Sequence, residues 1–255
     1  MRKTVLITGA TSGIGLALAH LFAKAGDSLI LVARYENTLK PLQMLLSKQY
    51  KTSVDYFAVD LTKPGGVEEL TSSVISKKAS VDILINNAGF GNYGEFEKTD
   101  LNTDIDLIAL NILTVTTLTK QLLPSIIRKK GKILNVGSVA SFLPGPFMNT
   151  YFASKAYVLS FSIALREELS DRGVTVTCLC PGPTNTNFGK RAHYDHALNR
   201  QHVMDVETVA AEAYRGLLAG KALVIPGWKN KVIVAASPFI PKMLMAKIVR
   251  RVSGY

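Results

Sequence analysis

At 255 residues, 47% apolar and 19% charged, the chain has the mass for one large core and is excluded from the disordered polymers. Its only cysteines, Cys178 and Cys180, exclude a disulfide framework. Both read as reduced core thiols, with metal binding as the alternative. The net charge of +11 is uneven, because residues 213–255 hold no Asp or Glu but contain Arg215, Lys221, Lys229, Lys231, Lys242, Lys247, Arg250 and Arg251. That asymmetry points to an anionic surface as partner.

Residues 1–3 are basic, but the apolar stretch after them is short and runs into Gly9, so no signal peptide is expected. No uninterrupted apolar run approaches the ~20 residues of a membrane span, and a cytoplasmic chain is expected. Short β-branched runs then alternate with longer helical patterns, the mark of βαβ units and a parallel sheet. Strands are predicted at 4–8, 28–33, 54–59, 81–85, 132–136, 174–180 and 222–225. Helices are predicted at 14–25, from the second strand's end to about 50, and at 67–78, 104–128, 149–171 and 206–219. Gly26 and Gly173 close two of these helices. Pro41 falls near the start of the second, and Pro124 should bend or shorten the fourth. Continuous apolar runs such as residues 29–32 and 83–85 suit strands buried on both faces. No repeat or linker interrupts the chain, so 1–255 reads as a single domain.

The turn Thr8-Gly9-Ala10-Thr11-Ser12-Gly13-Ile14-Gly15 joins the first strand to its helix. Glycines let backbone approach a pyrophosphate, and free N–H groups at a helix start favour its charge. A plain tight connection is the alternative. At the end of the second strand an acidic residue would mark NAD; here the sequence is Val32-Ala33-Arg34. Arg34 suits a 2′-phosphate, which favours NADP(H), whereas a surface arginine pairing with Glu36 is the bland reading.

Tyr151 and Lys155 stand at i and i+4, on one helix face. Ser138 follows the fifth strand, where open α/β sheets place their ligand crevice. A phenol of ordinary pKa about 10 is a poor base near neutrality. A nearby ammonium favours the phenolate, so Lys155 is expected to lower Tyr151 toward a useful acid–base range. Ser138 would donate to a substrate oxygen as charge develops there.

Together these motifs resemble the short-chain dehydrogenases/reductases, from Thr4 to about Ile225. The motifs are Thr8-Gly9-x-x-x-Gly13-Ile14-Gly15, Asp60, Asn86-Asn87-Ala88-Gly89, Asn111, Ser138, Tyr151-x-x-x-Lys155 and Pro181-Gly182-x-x-x-Thr186. The resemblance implies a Rossmann-like, doubly wound, seven-stranded parallel sheet in order 3-2-1-4-5-6-7, with helices on both faces. It implies cofactor contacts from Gly9, Thr11, Ser12, Gly13, Ile14, Gly15 and Arg34. Asp60 would bond the adenine amino group with Leu61 beside it, and Asn87, Ala88 and Gly89 would border the adenosine side. Asn111 resembles the residue that holds a relay water behind Lys155, and Lys155 would bond the nicotinamide ribose. Thr186 would steady the carboxamide, with Pro181, Gly182 and Thr184 shaping the adjacent turn. A homodimer or homotetramer through the fourth and fifth helices is also implied.

Residues 187–205 match the family's substrate lid. His193, Asp195, His196 and His202 are weighed there as a metal site and set aside, so no metal is expected. Lys190 and Arg191 suit either an acidic substrate or a solvated loop. Phe142, Leu143, Pro144 and Met148 are expected along one pocket wall, which suits an apolar substrate portion. Read as one helix from Phe239, the tail puts Ile240, Leu244, Ile248 and Val252 on one stripe, beside Met245 and Val249, with Lys242, Lys247, Arg250 and Arg251 mainly opposite. Two readings stay open for this basic segment, residues 238–255: peripheral membrane contact, or cover for the core or a neighbouring subunit, with Trp228 as an anchor in either case. The function expected is hydride transfer between NADP(H) and a small or lipid-like carbonyl or alcohol, with Tyr151 as general acid/base. The alternative is a catalytically silent nucleotide-sensing or membrane-surface protein on the same fold. Basic residues without interleaved aromatics argue against nucleic acid as partner.

Overall fold

The computed structural model describes residues 2–77, 80–192 and 203–252, with the side chains of Lys190 and Arg191 outside that description. Seven parallel strands form one sheet: β1 (Thr4–Thr8), β2 (Ser28–Ala33), β3 (Val54–Ala58), β4 (Ile83–Asn86), β5 (Lys132–Val136), β6 (Thr175–Leu179) and β7 (Leu223–Val224). Their spatial order is β3-β2-β1-β4-β5-β6-β7, as expected. The reversal beside β1 opens a crevice at the strands' carboxyl ends, where this fold type binds ligands.

Alternation along β1 shows how the sheet is held. Val5 and Ile7 face a core shared with α1 (Gly13–Lys24), α2 (Glu36–Tyr50) and α8 (Val206–Leu218). Leu6 faces the opposite core, against α3 (Gly66–Ser76), α5 (Val115–Arg128) and α6 (Asn149–Glu168). Each fully buried Leu or Ile contributes about 2 kcal/mol, so burial on both faces outweighs the short strand length.

Boundaries depart from expectation where tertiary packing intervenes. The fourth helix begins earlier, as α4 (Leu101–Ile108), because the Asp100 carboxylate accepts the Thr103 N–H and caps it. A π-helical segment, Ala109–Thr114, then leads into α5. Pro124 lies within α5 without ending it, since Leu118, Leu122 and Ile126 bury the same face. The combined helix, Leu101–Arg128, is long and apolar enough to cross a membrane by length and composition. Here it packs on the sheet and buries Asp104 and Asn111. The expected end of α6 is a separate 3₁₀ turn, Ser170–Arg172. β7 has two residues rather than four.

The tail differs most from expectation. The helix expected from Phe239 begins at Lys242, as α10 (Lys242–Val252), after an unforeseen α9 (Trp228–Ala236) and a 3₁₀ turn (Ser237–Phe239). Pro238 and Pro241 explain the break, because neither can donate a helical hydrogen bond. Trp228 is exposed, with the Lys229 ammonium 5.8 Å from its ring centre. Cys178 and Cys180 are free and buried, their sulfurs 3.6 Å apart.

Candidate active site

One cleft of about 1850 Å³ runs along the carboxyl edge of the sheet. At one end lies the β1–α1 turn. Gly9 has φ 65°, and a Cβ there would meet Asn87 Nδ2 at 2.8 Å. Asn87 Nδ2 donates to the carbonyls of Thr8 (2.9 Å) and Gly9 (3.2 Å), while Thr8 Oγ1 accepts the N–H groups of Asn87 and Ala88, both at 3.0 Å. These bonds lock β1 to β4. Ser12 precedes α1 without capping it through its side chain, and the first turn carries no acid. The helix start therefore remains suited to an anion.

Arg34 is exposed and lines the cleft. Among the described residues it forms no ion pair, and the Glu36 carboxylate instead accepts the Tyr56 hydroxyl at 2.8 Å. Its guanidinium stands 5.3 Å from the Tyr35 ring centre. Asp60 accepts from Thr62 N–H (3.0 Å) and Oγ1 (2.8 Å). Burial raises its pKa, but those bonds and the Arg34 and Lys63 charges hold it below the usual carboxylate value. The Leu61 carbonyl accepts from Thr114 Oγ1 at 2.9 Å, tying this edge to the π-helical segment.

At the other end Tyr151 and Lys155, both buried on α6, border the cleft opposite Ser138. Ser138 begins an unforeseen 3₁₀ turn, Val139–Phe142, and forms a capping box with Ser141. Its Oγ accepts from Ala140 N–H at 3.1 Å. Lys155 Nζ donates to the Val136 carbonyl at 2.8 Å and lies 5.8 Å from the Tyr151 ring centre. The expected lowering of Tyr151 by Lys155 does not occur in this geometry. Burial pushes the phenol up to about 12, and a bond with Ser138 only partly opposes it. Burial pushes the Lys155 ammonium down to about 8. Burial outweighs the other influences on both groups, with Nζ held on the Val136 carbonyl.

Gly89 separates Asn111 from Lys155, since a Cβ on it would stand 2.9 Å from Asn111 Oδ1 and 3.4 Å from Lys155 Nζ. The Asn111 amide donates to Phe90 O (3.1 Å) and Ser154 Oγ (3.0 Å), and its Oδ1 accepts the Phe90 N–H (3.3 Å). Thr11, Gly13, Ile14, Ala88, Pro181, Gly182, Thr184 and Thr186 all line the cleft. Of the residues assigned from sequence to catalysis or the cofactor, Gly15 and Asn111 do not. Gly15 instead lies against Asn87 and the Gly9 carbonyl, where a side chain would collide.

Leu143 and Met148 line the wall expected of them, whereas Phe142 packs against the cluster of Val158, Cys178 and Cys180, and Pro144 is absent from the lining. Sequence reading missed a whole wall: Val232 and Ile233 of α9, and Met245, Ile248, Val249 and Val252 of α10. Its signal was the apolar i, i+3, i+4, i+7 spacing, read there without knowing which surface it covered. The short helix α7 (Phe188–Arg191) adds Phe188, whose ring centre is 5.2 Å from that of Tyr151. The four polar residues weighed as a metal site, at 193–202, lie outside the described residues.

Residues 3–197 match the family model described as short chain dehydrogenase. An Anopheles gambiae relative, "Dehydrogenase/reductase SDR family protein 7-like", is 34% identical over 195 residues, 74% of this chain and 62% of that protein. The chain thus spans less than two thirds of that relative's length. A solved short-chain dehydrogenase from Sphingobium yanoikuyae in complex with NADPH shares 34% identity, covers 99% of this chain and 96% of its own, and has a TM-score of 0.84. The bulky-bulky ketone specific alcohol dehydrogenase from Comamonas testosteroni shares 31% identity over 93% of each chain, with a TM-score of 0.78. With this fold, strand order and family match, the chain belongs to the short-chain dehydrogenase/reductase family of oxidoreductases.

Proposed function

We propose that the chain is an NADP(H)-dependent oxidoreductase acting on an apolar ketone or the corresponding alcohol, with Tyr151 as general acid/base. The observation that carries this is the convergence of Ser138, Tyr151 and Lys155 on the same cleft as the glycine turn and Arg34. That cleft's volume, about 1850 Å³, exceeds the usual single-ligand range and suits a dinucleotide with a substrate beside it. The NADPH bound by the Sphingobium relative supports the cofactor class.

The nicotinamide, when bound, supplies or accepts the hydride. The chain's own residues do the rest. Arg34 holds the 2′-phosphate, unopposed by any carboxylate pairing among the described residues. The glycine turn receives the pyrophosphate, Asp60 and Leu61 border the adenine, and Pro181, Gly182, Thr184 and Thr186 flank the nicotinamide end. Ser138 orients the substrate oxygen. Buried and held near 12, Tyr151 keeps its proton until the oxygen gains charge, then delivers it. Lys155, anchored on Val136, supplies positive charge beside the phenol, and Asn111 braces that corner through Phe90 and Ser154.

Residues 1–255 form one catalytic domain in this reading, with the lid at 187–205. The exposed Leu101, Ile105, Ile108 and Leu113 supply an apolar face for a homodimer or homotetramer. The deciding experiment is a panel of ketones and alcohols followed by nicotinamide absorbance, with NADPH and NADH in parallel. Turnover of bulky apolar ketones with NADPH is expected. Tyr151→Phe should lower it about 10²–10⁴-fold while cofactor binding persists. Tight NADPH binding with no turnover anywhere in the panel would favour the nucleotide-sensing alternative.

A further inference from the structure

The α9–α10 end is held to the body by little. α9 buries Val234 and α10 buries Met245. On α10, Met245, Ile248, Val249 and Val252 line the cleft. Helical spacing turns Met243, Lys247 and Arg251 the other way. That outward face continues into the turn before it, where Phe239 is 87% exposed, with Met243 at 77%. Two such side chains left in water at one tip need a reason, because neither contributes to the core described above.

The charge around this tip narrows the choice of partner. Lys242, Lys247 and Arg251 are exposed beside it, and residues 213–255 contain no carboxylate side chain. A second copy seated here across a two-fold axis would bring the same cations face to face. A surface of phosphates over an apolar interior matches both features at once: cations meet the phosphates and the apolar tip enters below them.

We infer that the turn between α9 and α10, with the outward face of α10, docks on an anionic lipid bilayer. Phe239 and Met243 enter the headgroup–acyl boundary, and Lys242 and Lys247 meet the lipid phosphates. The cleft rim beside this face is apolar too, with Val232, Ile233 and Val252 both exposed and lining the cleft. A carbonyl substrate dissolved in the bilayer would therefore reach the site past apolar side chains. This last step rests on the proposed function; the docking itself does not.

The test is sedimentation of the full chain with vesicles of phosphatidylcholine alone, or with one third phosphatidylglycerol. No turnover is needed, so the result stands apart from the enzymatic assay. The chain should sediment with the anionic vesicles, be released by salt, and stay in solution with the neutral ones. Lys242→Gln and Lys247→Gln should each weaken partitioning about fivefold, and together about 25-fold. Phe239→Asp should abolish sedimentation while the thermal midpoint and elution volume stay unchanged, since the side chain touches no core. Absence of binding to anionic vesicles, or equal binding by all these variants, overturns the proposal. A smaller oligomer in Phe239→Asp also overturns it, by assigning the tip to a subunit contact.

Discussion

The two walls of the cleft are built by opposite means. On the nucleotide side, α1 buries Gly15, Leu18, Ala19, Phe22 and Ala23, and the turn before it is tied by Asn87 and Thr8 to two strands. On the tail side, α9 and α10 each bury a single side chain, and apart from Asn230 their contribution to the cleft is apolar surface. The first wall is fixed by backbone bonds and close approach, the second by a few side-chain contacts. Groups that must sit within a fraction of an ångström belong on the first. A surface that selects by size and apolarity tolerates the second, and specificity can diverge there without disturbing the chemistry.

Three experiments would break or sharpen that division. The largest effect is expected from Arg34→Ala, which removes charge-assisted bonds at the fixed wall. KM for NADPH should rise about 10–100-fold with KM for NADH nearly unchanged, read by steady-state kinetics. Equal losses for both cofactors would mean that Arg34 does not read the phosphate.

Next comes pH. Lys155 loses its proton near 8, well below the ordinary lysine value of 10.5, while Tyr151 keeps its own to about 12. The charged ammonium is therefore present below about 8 and lost above it. For ketone reduction, kcat/KM should be level below that pH and fall about tenfold per unit above it. A profile level to pH 10 would show that the ammonium contributes nothing.

The smallest effect should come from the loosely held wall. Ile248→Ala removes three carbons from the cleft rim, so KM for a bulky ketone should rise about threefold to tenfold, with kcat and the KM for NADPH unchanged. A fall in kcat instead would place α10 in the chemistry and erase the contrast.

Legibility in the sequence followed the same division. The family was readable because glycine turns, apolar runs and the Tyr151–Lys155 spacing are local and strict, and the strand order followed from that resemblance. The state of those groups was not readable. Lys155 sits on the Val136 carbonyl, and that contact depends on where β5 passes beneath α6. The tail's apolar stripe is legible from its spacing, but only the fold shows that it faces the cleft. Phe142 was assigned to the pocket from its neighbours, but a 3₁₀ turn directs it toward Cys178 and Cys180.

The π-helical segment at Ala109–Thr114 sets the phase between two halves of one long helix. Upstream, Asp104 and Leu107 are buried; downstream, Leu118, Leu122 and Ile126 follow the sheet. Regular α winding over the same residues would rotate one half by about 100° against the other. Either Asn111 would leave Phe90 and Ser154, or the downstream leucines would turn off the sheet. The winding of this stretch is thus set jointly by the catalytic corner and the hydrophobic core, and neither half can shift alone.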